Sequence, residues 1–168
     1  MRKLILFAFS IALLLSGCSS DGTGNFKLYL TDQPIDSAEE IWVTISEINV
    51  QKAEEGFLTV WQGSKEYDLL ALRDREALIL DTALENGMYT QIRLVVSKGK
   101  ILIDNGPYSM TVSSPEVKMP LVFNVMEHGD IEIVLDFEAD KSIHLVETGQ
   151  SKQYILTPVI KVKSIIYK

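Results

Sequence analysis

The chain has 168 residues, of which 16 are lysine or arginine and 23 are aspartate or glutamate. Its formal net charge of -7 at pH 7 repels the phosphate backbone of nucleic acids and anionic lipid headgroups, so we expect no nucleic-acid partner. The single cysteine, Cys18, excludes an internal disulfide and a zinc site built from several thiolates.

The N-terminus has the layout of an export signal. Met1-Arg2-Lys3 is a short basic segment, residues 4–15 are apolar apart from Ser10, and small residues precede Cys18. Because a membrane-spanning helix needs about 20 apolar residues, this run is too short to be one. Residues 1–17 are therefore predicted to be a cleaved signal peptide.

The sequence Leu15-Ser16-Gly17-Cys18 resembles the lipobox of a bacterial lipoprotein signal. The resemblance implies that the Cys18 sulfur receives a diacylglyceryl group and that cleavage leaves Cys18 as an acylated N-terminus. An ordinary signal peptide with an incidental cysteine is the alternative. Since two or more acyl chains anchor a protein stably, the resemblance implies permanent attachment to the lipid bilayer.

The predicted location is the cell membrane, with the protein lipid-anchored on its extracytoplasmic side. Ser19 follows the cysteine where an aspartate would favour retention in the inner membrane, so the outer membrane is expected in a Gram-negative organism. Residues 18–25 are predicted to be the lipidated terminus and a flexible tether. Residues 26–168 are predicted to be one domain, because no Pro- or Gly-rich break divides them.

Apolar residues recur at every second position along most of this domain, the pattern of strands with one buried face. Residues 26–30 form the first such run and residues 41–50 the second. A change of phase at Ser46-Glu47 predicts a β-bulge within the second run, since one extra residue reverses the facing. Two short strands should follow, separated by a turn at Gln62-Gly63-Ser64.

Residues 73–84 could be either a helix or a strand. Lys98-Gly99-Lys100 predicts a hairpin, and the strictly alternating run at residues 131–137 predicts a central core strand. Pro158 lies inside the last apolar run, which favours an edge position or a bulge. Short strands with closely spaced turn signals predict an all-β fold, an antiparallel β-sandwich with at most one short helix.

Six segments of the chain look familiar when taken together in order: residues 28–34, 43–48, 67–72, 87–94, 135–143 and 156–160. They resemble the family known as domain of unknown function 4382, which is found in exported bacterial and archaeal proteins. The resemblance covers nearly all of residues 24–163 and implies a β-sandwich related to transthyretin-like and carboxypeptidase-regulatory-like modules. It implies no reaction, and Glu138 departs from the second aspartate expected in the pattern Asp-Phe-Asp-Ala.

Acidic residues form the first candidate site. Carboxylates clustered on loops at one end of a sandwich can supply the six to eight oxygens that calcium prefers. The alternative is turn chemistry, with Asp32 capping the turn at Pro34 and the other acids solvated or paired with Lys141. The candidate calcium ligands are Asp32, Asp36, Asp136, Glu138 and Asp140.

Aromatic residues form the second candidate site. Trp42 alternates with apolar neighbours and is predicted to point outward, and Trp61 could share a face with it and with Tyr29, Tyr89 and Tyr108. Exposed aromatics of this kind suit sugar stacking or protein contact. The alternative is that Trp42 fills the second face of a core covered on both sides.

Catalysis has little support in the sequence. His128 and His144 are the only histidines, in unlike contexts, and neither a Gly-x-Ser-x-Gly elbow nor a phosphate-binding glycine loop is present. We expect a non-catalytic module with a binding or structural role and no cofactor, with a glycan or an envelope protein as partner. A carbohydrate-binding or calcium-binding module of the cell envelope is the alternative, and a hydrolase is less favoured.

Overall fold

The computed structural model describes residues 22–32, 38–103, 106–148 and 151–168. They form strands almost throughout, with one 3-10 helix (Leu70–Leu72) and one short α-helix, α1 (Ala139–Ser142). No helix among these residues has the length and apolarity needed to cross a bilayer. The strands are β1 (Thr23–Asp32), β2 (Glu40–Lys52), β3 (Gly56–Asp68), β4 (Ala77–Glu85), β5 (Gly87–Ile103), β6 (Gly106–Val112), β7 (Glu116–Val125), β8 (Asp130–Phe137), β9 (Ile143–Thr148), β10 (Ser151–Leu156) and β11 (Ile160–Tyr167).

Two sheets pack into a sandwich, which confirms the predicted all-β class. The four-stranded sheet has the order β11-β8-β1-β4. The seven-stranded sheet has the order β3-β2-β5-β6-β10-β9, and β7 also pairs with β5. The 17-residue strand β5 makes this possible, because its first half pairs with β7 and its second half with β6.

The sheets are mixed, whereas the sequence predicted antiparallel pairing throughout. β1 runs parallel to β8 from Asn25↔Asp130 to Asp32↔Phe137, and β6 runs parallel to β10. Both parallel pairs join strands that are distant in sequence, as parallel strands need long connections. Local alternation carries no information about strand direction.

The core lies between the two sheets. Phe26, Leu28 and Leu30 of β1 are fully buried, as are the apolar residues of β8 on the same side. Phe123 stacks between Phe26 and Tyr89, with ring centroids 5.6 Å and 5.2 Å apart. β1 and β8 occupy the middle of the four-stranded sheet, so the predicted central position of residues 131–137 is confirmed.

The change of phase in β2 is confirmed, because its pairing with both neighbours shifts between Ile45 and Glu47. The predicted turn at Gln62-Gly63-Ser64 is wrong, since β3 continues through it. Gly63 is instead covered by an indole: a Cβ there would lie 2.8 Å from Cζ2 of Trp61.

The predicted hairpin at Lys98-Gly99-Lys100 is also wrong, because β5 continues through it. A Cβ at Gly99 would lie 2.7 Å from Leu156 and 2.8 Å from Met110, so close packing accounts for this glycine. Residues 73–84 resolve as a loop followed by β4. The last apolar run divides into β10 and β11 around Pro158, where the chain passes from one sheet to the other.

The domain begins earlier than predicted. β1 starts at Thr23, which pairs with Glu85, so residues 23–25 belong to the sheet and not to a tether. Gly24 packs so tightly that a Cβ would lie 2.3 Å from the carbonyl oxygen of Met126. This proximity fixes the start of β1 against the β7–β8 turn.

The sandwich has two ends, and β1 runs from one to the other. At the leader end, the Gly22 carbonyl accepts a hydrogen bond from the Asn86 amide (2.8 Å), and the Thr23 carbonyl accepts one from the His128 amide (3.0 Å). The leader end is thus the end formed by Gly22, the β4–β5 turn and the β7–β8 turn.

The far end lies where β1 stops. The Thr31 hydroxyl donates to the Leu72 carbonyl (3.2 Å), and the Leu69 amide donates to the Ile41 carbonyl (2.8 Å). The start of β2, the 3-10 helix and the end of β1 therefore meet there. A ten-residue strand at about 3.3 Å per residue separates the two ends by about 30 Å.

Candidate functional site

Trp42 lies on the outer face of the seven-stranded sheet, near the far end. Its neighbours Ile41 and Val43 are fully buried on the core side, so the alternation of β2 turns Trp42 outward, where its side chain is half-buried. The indole N–H donates to Oε2 of Glu40 at 3.0 Å, and this bond sets the orientation of the ring.

A groove of about 320 Å³ opens beside the Trp42 ring. Strand register builds it, because Trp42 pairs with Lys100 and Glu40 pairs with Leu102 across β2 and β5. Nζ of Lys100 forms an ion pair with Oε1 of Glu66 at 3.1 Å. The groove is lined by Glu40, Trp42, Glu66, Lys100, Ile101, Leu102 and Pro107.

These residues combine one aromatic surface with two carboxylates and one ammonium group. An aromatic ring offers a large, rigid apolar contact at small entropic cost, and charged groups form the stronger hydrogen bonds to a polar ligand. Of these seven residues, only Trp42 could be named as a candidate ligand contact from the sequence. No local signal marks the others, because their proximity depends on the pairing of β2, β3, β5 and β6.

Trp61 does not share this face. It pairs with the buried Ile48 and packs against the core, with its ring over Gly63. Tyr89 is fully buried in the aromatic stack, and Tyr108 packs against Tyr154 with a centroid distance of 5.1 Å. The predicted common face of the aromatic residues is therefore wrong, and Trp42 is the member of the set that lines the groove.

The structure brings some of the candidate calcium ligands to the far end of the sandwich. Asp32 is buried, and its Oδ1 accepts a hydrogen bond from the Ala139 amide at 3.3 Å, so the end of β1 does meet the segment after β8. Asp140 is exposed in α1. Asp36 lies outside the described residues.

Glu138 is buried and serves as an ion-pair centre. Its Oε1 accepts hydrogen bonds from Nζ of Lys141 and, at 2.7 Å, from Nζ of Lys161. These two bonds hold the pKa of the Glu138 carboxyl below its ordinary value. Lys161 comes from β11, which the sequence could not place beside residue 138.

Asp136 has the opposite environment. Burial raises the pKa of its carboxyl, while the charge of Lys163 opposes this shift. Oδ1 of Asp136 is buried and has no hydrogen-bond partner among the described residues. The pKa values of these two acids, the first in β8 and the second just after it, are therefore shifted in opposite directions.

The calcium interpretation is not supported by this geometry. Among the described residues, no three acidic, histidine or cysteine side chains are arranged to hold a metal ion. Asp32 is engaged by a backbone amide and Glu138 by two lysines, so Asp32, Asp136, Glu138 and Asp140 do not converge as calcium requires. Two lysines neutralise Glu138 instead.

Because the pKa of Glu138 is lowered and the pKa of Asp136 is raised, substitutions at these two positions should change stability in opposite directions. Glu138→Gln should lower the free energy of unfolding at neutral pH. This loss of stability should disappear in acid, as the pH falls below the ordinary pKa of 4.5 and through the lower pKa of Glu138 in the folded protein. Asp136→Asn should raise the free energy of unfolding at neutral pH, and the gain should vanish in acid below the ordinary 3.8. Urea unfolding across this pH range measures both, and effects of the same sign would contradict the assignment.

The fold and the N-terminal segment together define the class: a membrane-anchored lipoprotein with an all-β sandwich domain. A prokaryotic membrane lipoprotein lipid attachment site is matched over residues 1–19, which include Cys18. The chain belongs to the family described as Domain of unknown function (DUF4382), whose model matches residues 23–158. No curated protein and no solved structure matches the chain.

Proposed function

We propose that this lipoprotein is an extracytoplasmic, non-catalytic binding module whose Trp42 groove takes a neutral glycan. The observation that carries the proposal is the placement of Trp42 beside Glu40, Glu66 and Lys100 in an open groove of about 320 Å³. Ligand sites commonly combine apolar or aromatic walls with a few polar groups that fix orientation.

A sugar ring matches this chemistry in two ways. Its apolar face can lie on the indole of Trp42, where the contact area is large and the ring is already oriented by Glu40. Its hydroxyl groups can hydrogen-bond with the carboxylate of Glu66 and the ammonium group of Lys100. The two carboxylates and one ammonium group leave the groove with an excess of one negative charge, which favours an uncharged ligand over an anionic one.

The position of the groove supports presentation away from the membrane. Cys18 is the proposed lipid-bearing residue, and it precedes the leader end by only a few residues. The groove lies near the far end, about 30 Å away along the strands. We place the domain outside the cytoplasm, and Ser19 after the cysteine supports the outer membrane in a Gram-negative organism.

A non-catalytic role is part of the proposal. None of the described residues that line the groove is a serine, cysteine or histidine that could act as a nucleophile. Glu40 and Glu66 accept hydrogen bonds from Trp42 and Lys100, which orient both carboxylates as acceptors for ligand hydroxyl groups. This arrangement supports binding and not glycoside hydrolysis.

Substitution of the two tryptophans tests the groove. Trp42→Ala in the full lipoprotein is expected to weaken binding of neutral oligosaccharides at least about tenfold, which corresponds to about 1.4 kcal/mol. Trp61→Phe is the matched control and should bind as the wild type does, because Trp61 packs on the core side. Calorimetry with cello-, xylo- and chito-oligosaccharides measures the affinities, and in Trp61→Phe the fluorescence of Trp42 reports the ligand directly.

Two results would overturn the glycan assignment. One is that no neutral oligosaccharide in the panel binds while peptides do, which would assign the groove to a protein partner. The other is that Trp42→Ala binds oligosaccharides as tightly as the wild type, which would place the glycan elsewhere. Circular dichroism of both variants confirms that the fold is retained.

A further inference from the structure

Four exposed apolar side chains surround Asn124 at the leader end, and we call them the β7 patch: Met88, Val122, Met126 and Tyr167. Their exposed fractions are 46%, 63%, 57% and 47%. Met88 pairs with Asn124 across β5 and β7, and the Tyr167 hydroxyl accepts a hydrogen bond from the Asn124 amide at 3.4 Å. Val122 precedes Asn124 by two residues in β7, and Met126 directly follows the strand, where it lines a small cavity together with Asn124 and Tyr167.

The patch lies directly beside Gly22 and the start of β1. Gly24 is in contact with the backbone of Met126, and a Cβ at Gly22 would lie 2.5 Å from the Glu127 side chain. Four residue steps separate Cys18 from Gly22, and a fully extended chain of that length spans at most about 14 Å. The leader end is therefore confined close to whatever holds Cys18.

The dimensions of a bilayer further limit the distance between Gly22 and the membrane surface. The hydrocarbon core is about 30 Å thick and the whole bilayer about 40–45 Å, so each headgroup layer takes up about 5–8 Å. Acyl chains on Cys18 place its sulfur at the inner boundary of that layer. Less than about 10 Å of extended chain then remains between the membrane surface and Gly22, so the leader end must touch or nearly touch the membrane.

We propose that the β7 patch docks on the lipid bilayer that holds the anchor, with its apolar side chains at the level of the headgroups. The inference rests on the proposed lipidation of Cys18 and is independent of the ligand of the Trp42 groove. Docking removes the patch from water and adds apolar burial to the anchoring by the lipid. The far end, with the Trp42 groove, points away from the membrane.

The charges beside the patch indicate apolar docking. Lys168 at the leader end is paired with Glu132 at 2.8 Å, and Lys52 is paired with Glu85 at 2.7 Å. These lysines are engaged by carboxylates and are not presented as a basic surface to anionic lipid. Docking should therefore be no stronger on anionic vesicles than on neutral phosphatidylcholine ones, and on phosphatidylcholine it should be insensitive to salt.

A fluorescent label at the patch tests the docking. In the mature lipoprotein the Cys18 sulfur is acylated, so a thiol introduced by Met126→Cys is the one that a thiol-reactive fluorophore labels. Ala71→Cys, on the exposed side of the 3-10 helix at the far end, is the matched control. In phosphatidylcholine vesicles, nitroxide-bearing lipid should quench the label at position 126 and aqueous iodide should not, with the reverse pattern at position 71.

A charge introduced into the β7 patch provides a second test of the docking. Val122→Glu in the Met126→Cys background should restore iodide quenching at position 126, because the carboxylate resists burial among lipids, and the exposed position spares the fold. Equal iodide quenching at positions 126 and 71, or no change with Val122→Glu, would overturn the proposal. Failure of lipidation would show instead as loss of the protein from the vesicles, and failure of the glycan proposal as absent oligosaccharide binding with docking intact.

Discussion

Phe137→Ala is expected to lower the free energy of unfolding by about 3–5 kcal/mol, through lost transfer energy and the cavity left behind. Phe137 is fully buried at the end of β8. It pairs with Asp32 of β1 on one side and with Ile160 of β11 on the other, so backbone on both sides limits collapse of the cavity. Urea unfolding monitored by circular dichroism measures the change.

Leu78→Ala is the control for this measurement. Leu78 is a large apolar residue of β4 in the same sheet, but it is 43% exposed, so its truncation should cost much less than that of Phe137. A loss below about 1 kcal/mol for Phe137→Ala would show that β8 is peripheral to the core, against the position that the structure gives it.

Cys18→Ala is expected to abolish membrane attachment through lipid and to leave the precursor without lipoprotein processing. The reason is that the acyl chains need the cysteine sulfur, and stable anchoring takes at least two chains. The fold of the described domain should not change, because Cys18 precedes its first strand. Mass spectrometry of the N-terminus and membrane fractionation measure the two effects.

Ser19→Ala, which keeps the cysteine, is the matched variant and should be lipidated like the wild type. A free Cys18 thiol in the mature wild-type protein, or cleavage at another residue, would contradict lipidation. Because lipidation also underlies docking of the β7 patch, this experiment should precede the quenching measurements.

Local sequence was sufficient for the strands whose environment is uniform. Residues 131–137 alternate strictly and form a strand with one face in the core, as predicted. The bulge in β2 could be predicted for the same reason, since a change of phase at Ser46-Glu47 is visible without any partner strand. Burial on one face imposes a period of two on the chain, and that period can be read from one strand alone.

The wrong predictions of a turn at Gly63 and of a hairpin at Gly99 have a common cause. Gly63 and Gly99 lie in polar stretches that are typical of turns, but the Trp61 ring occupies the space of one Cβ and Leu156 with Met110 that of the other. A glycine required for flexibility and one required for close packing look alike in the sequence. Leu156, one of the two packing partners of Gly99, is more than fifty residues away in the sequence, so only the assembled sheets distinguish the two cases.

In the candidate sites, too, some features could be predicted from the sequence and others depend on strand pairing. Outward placement of Trp42 could be predicted from its neighbours in β2, but Lys100 and Pro107 reach the groove through the pairing of β2 with β5 and of β5 with β6. Of the candidate acids, Asp32 at the end of β1 does meet the segment after β8, through the Ala139 amide. The ion pair of Glu138 with Lys161 could not be predicted, because β11 pairs with β8 only in the folded sheet.

The sequence by itself determined the export signal with its lipobox, the all-β class, the buried faces of the main strands and the family. These depend on short-range patterns, namely small residues before a cysteine and apolar residues at every second position. The tertiary structure decided the parallel pairing of β1 with β8, the groove at Trp42, the pairing of Glu138 with two lysines and the position of the β7 patch beside the anchor. These depend on register and direction between strands distant in sequence, which long-range packing sets and no local pattern encodes.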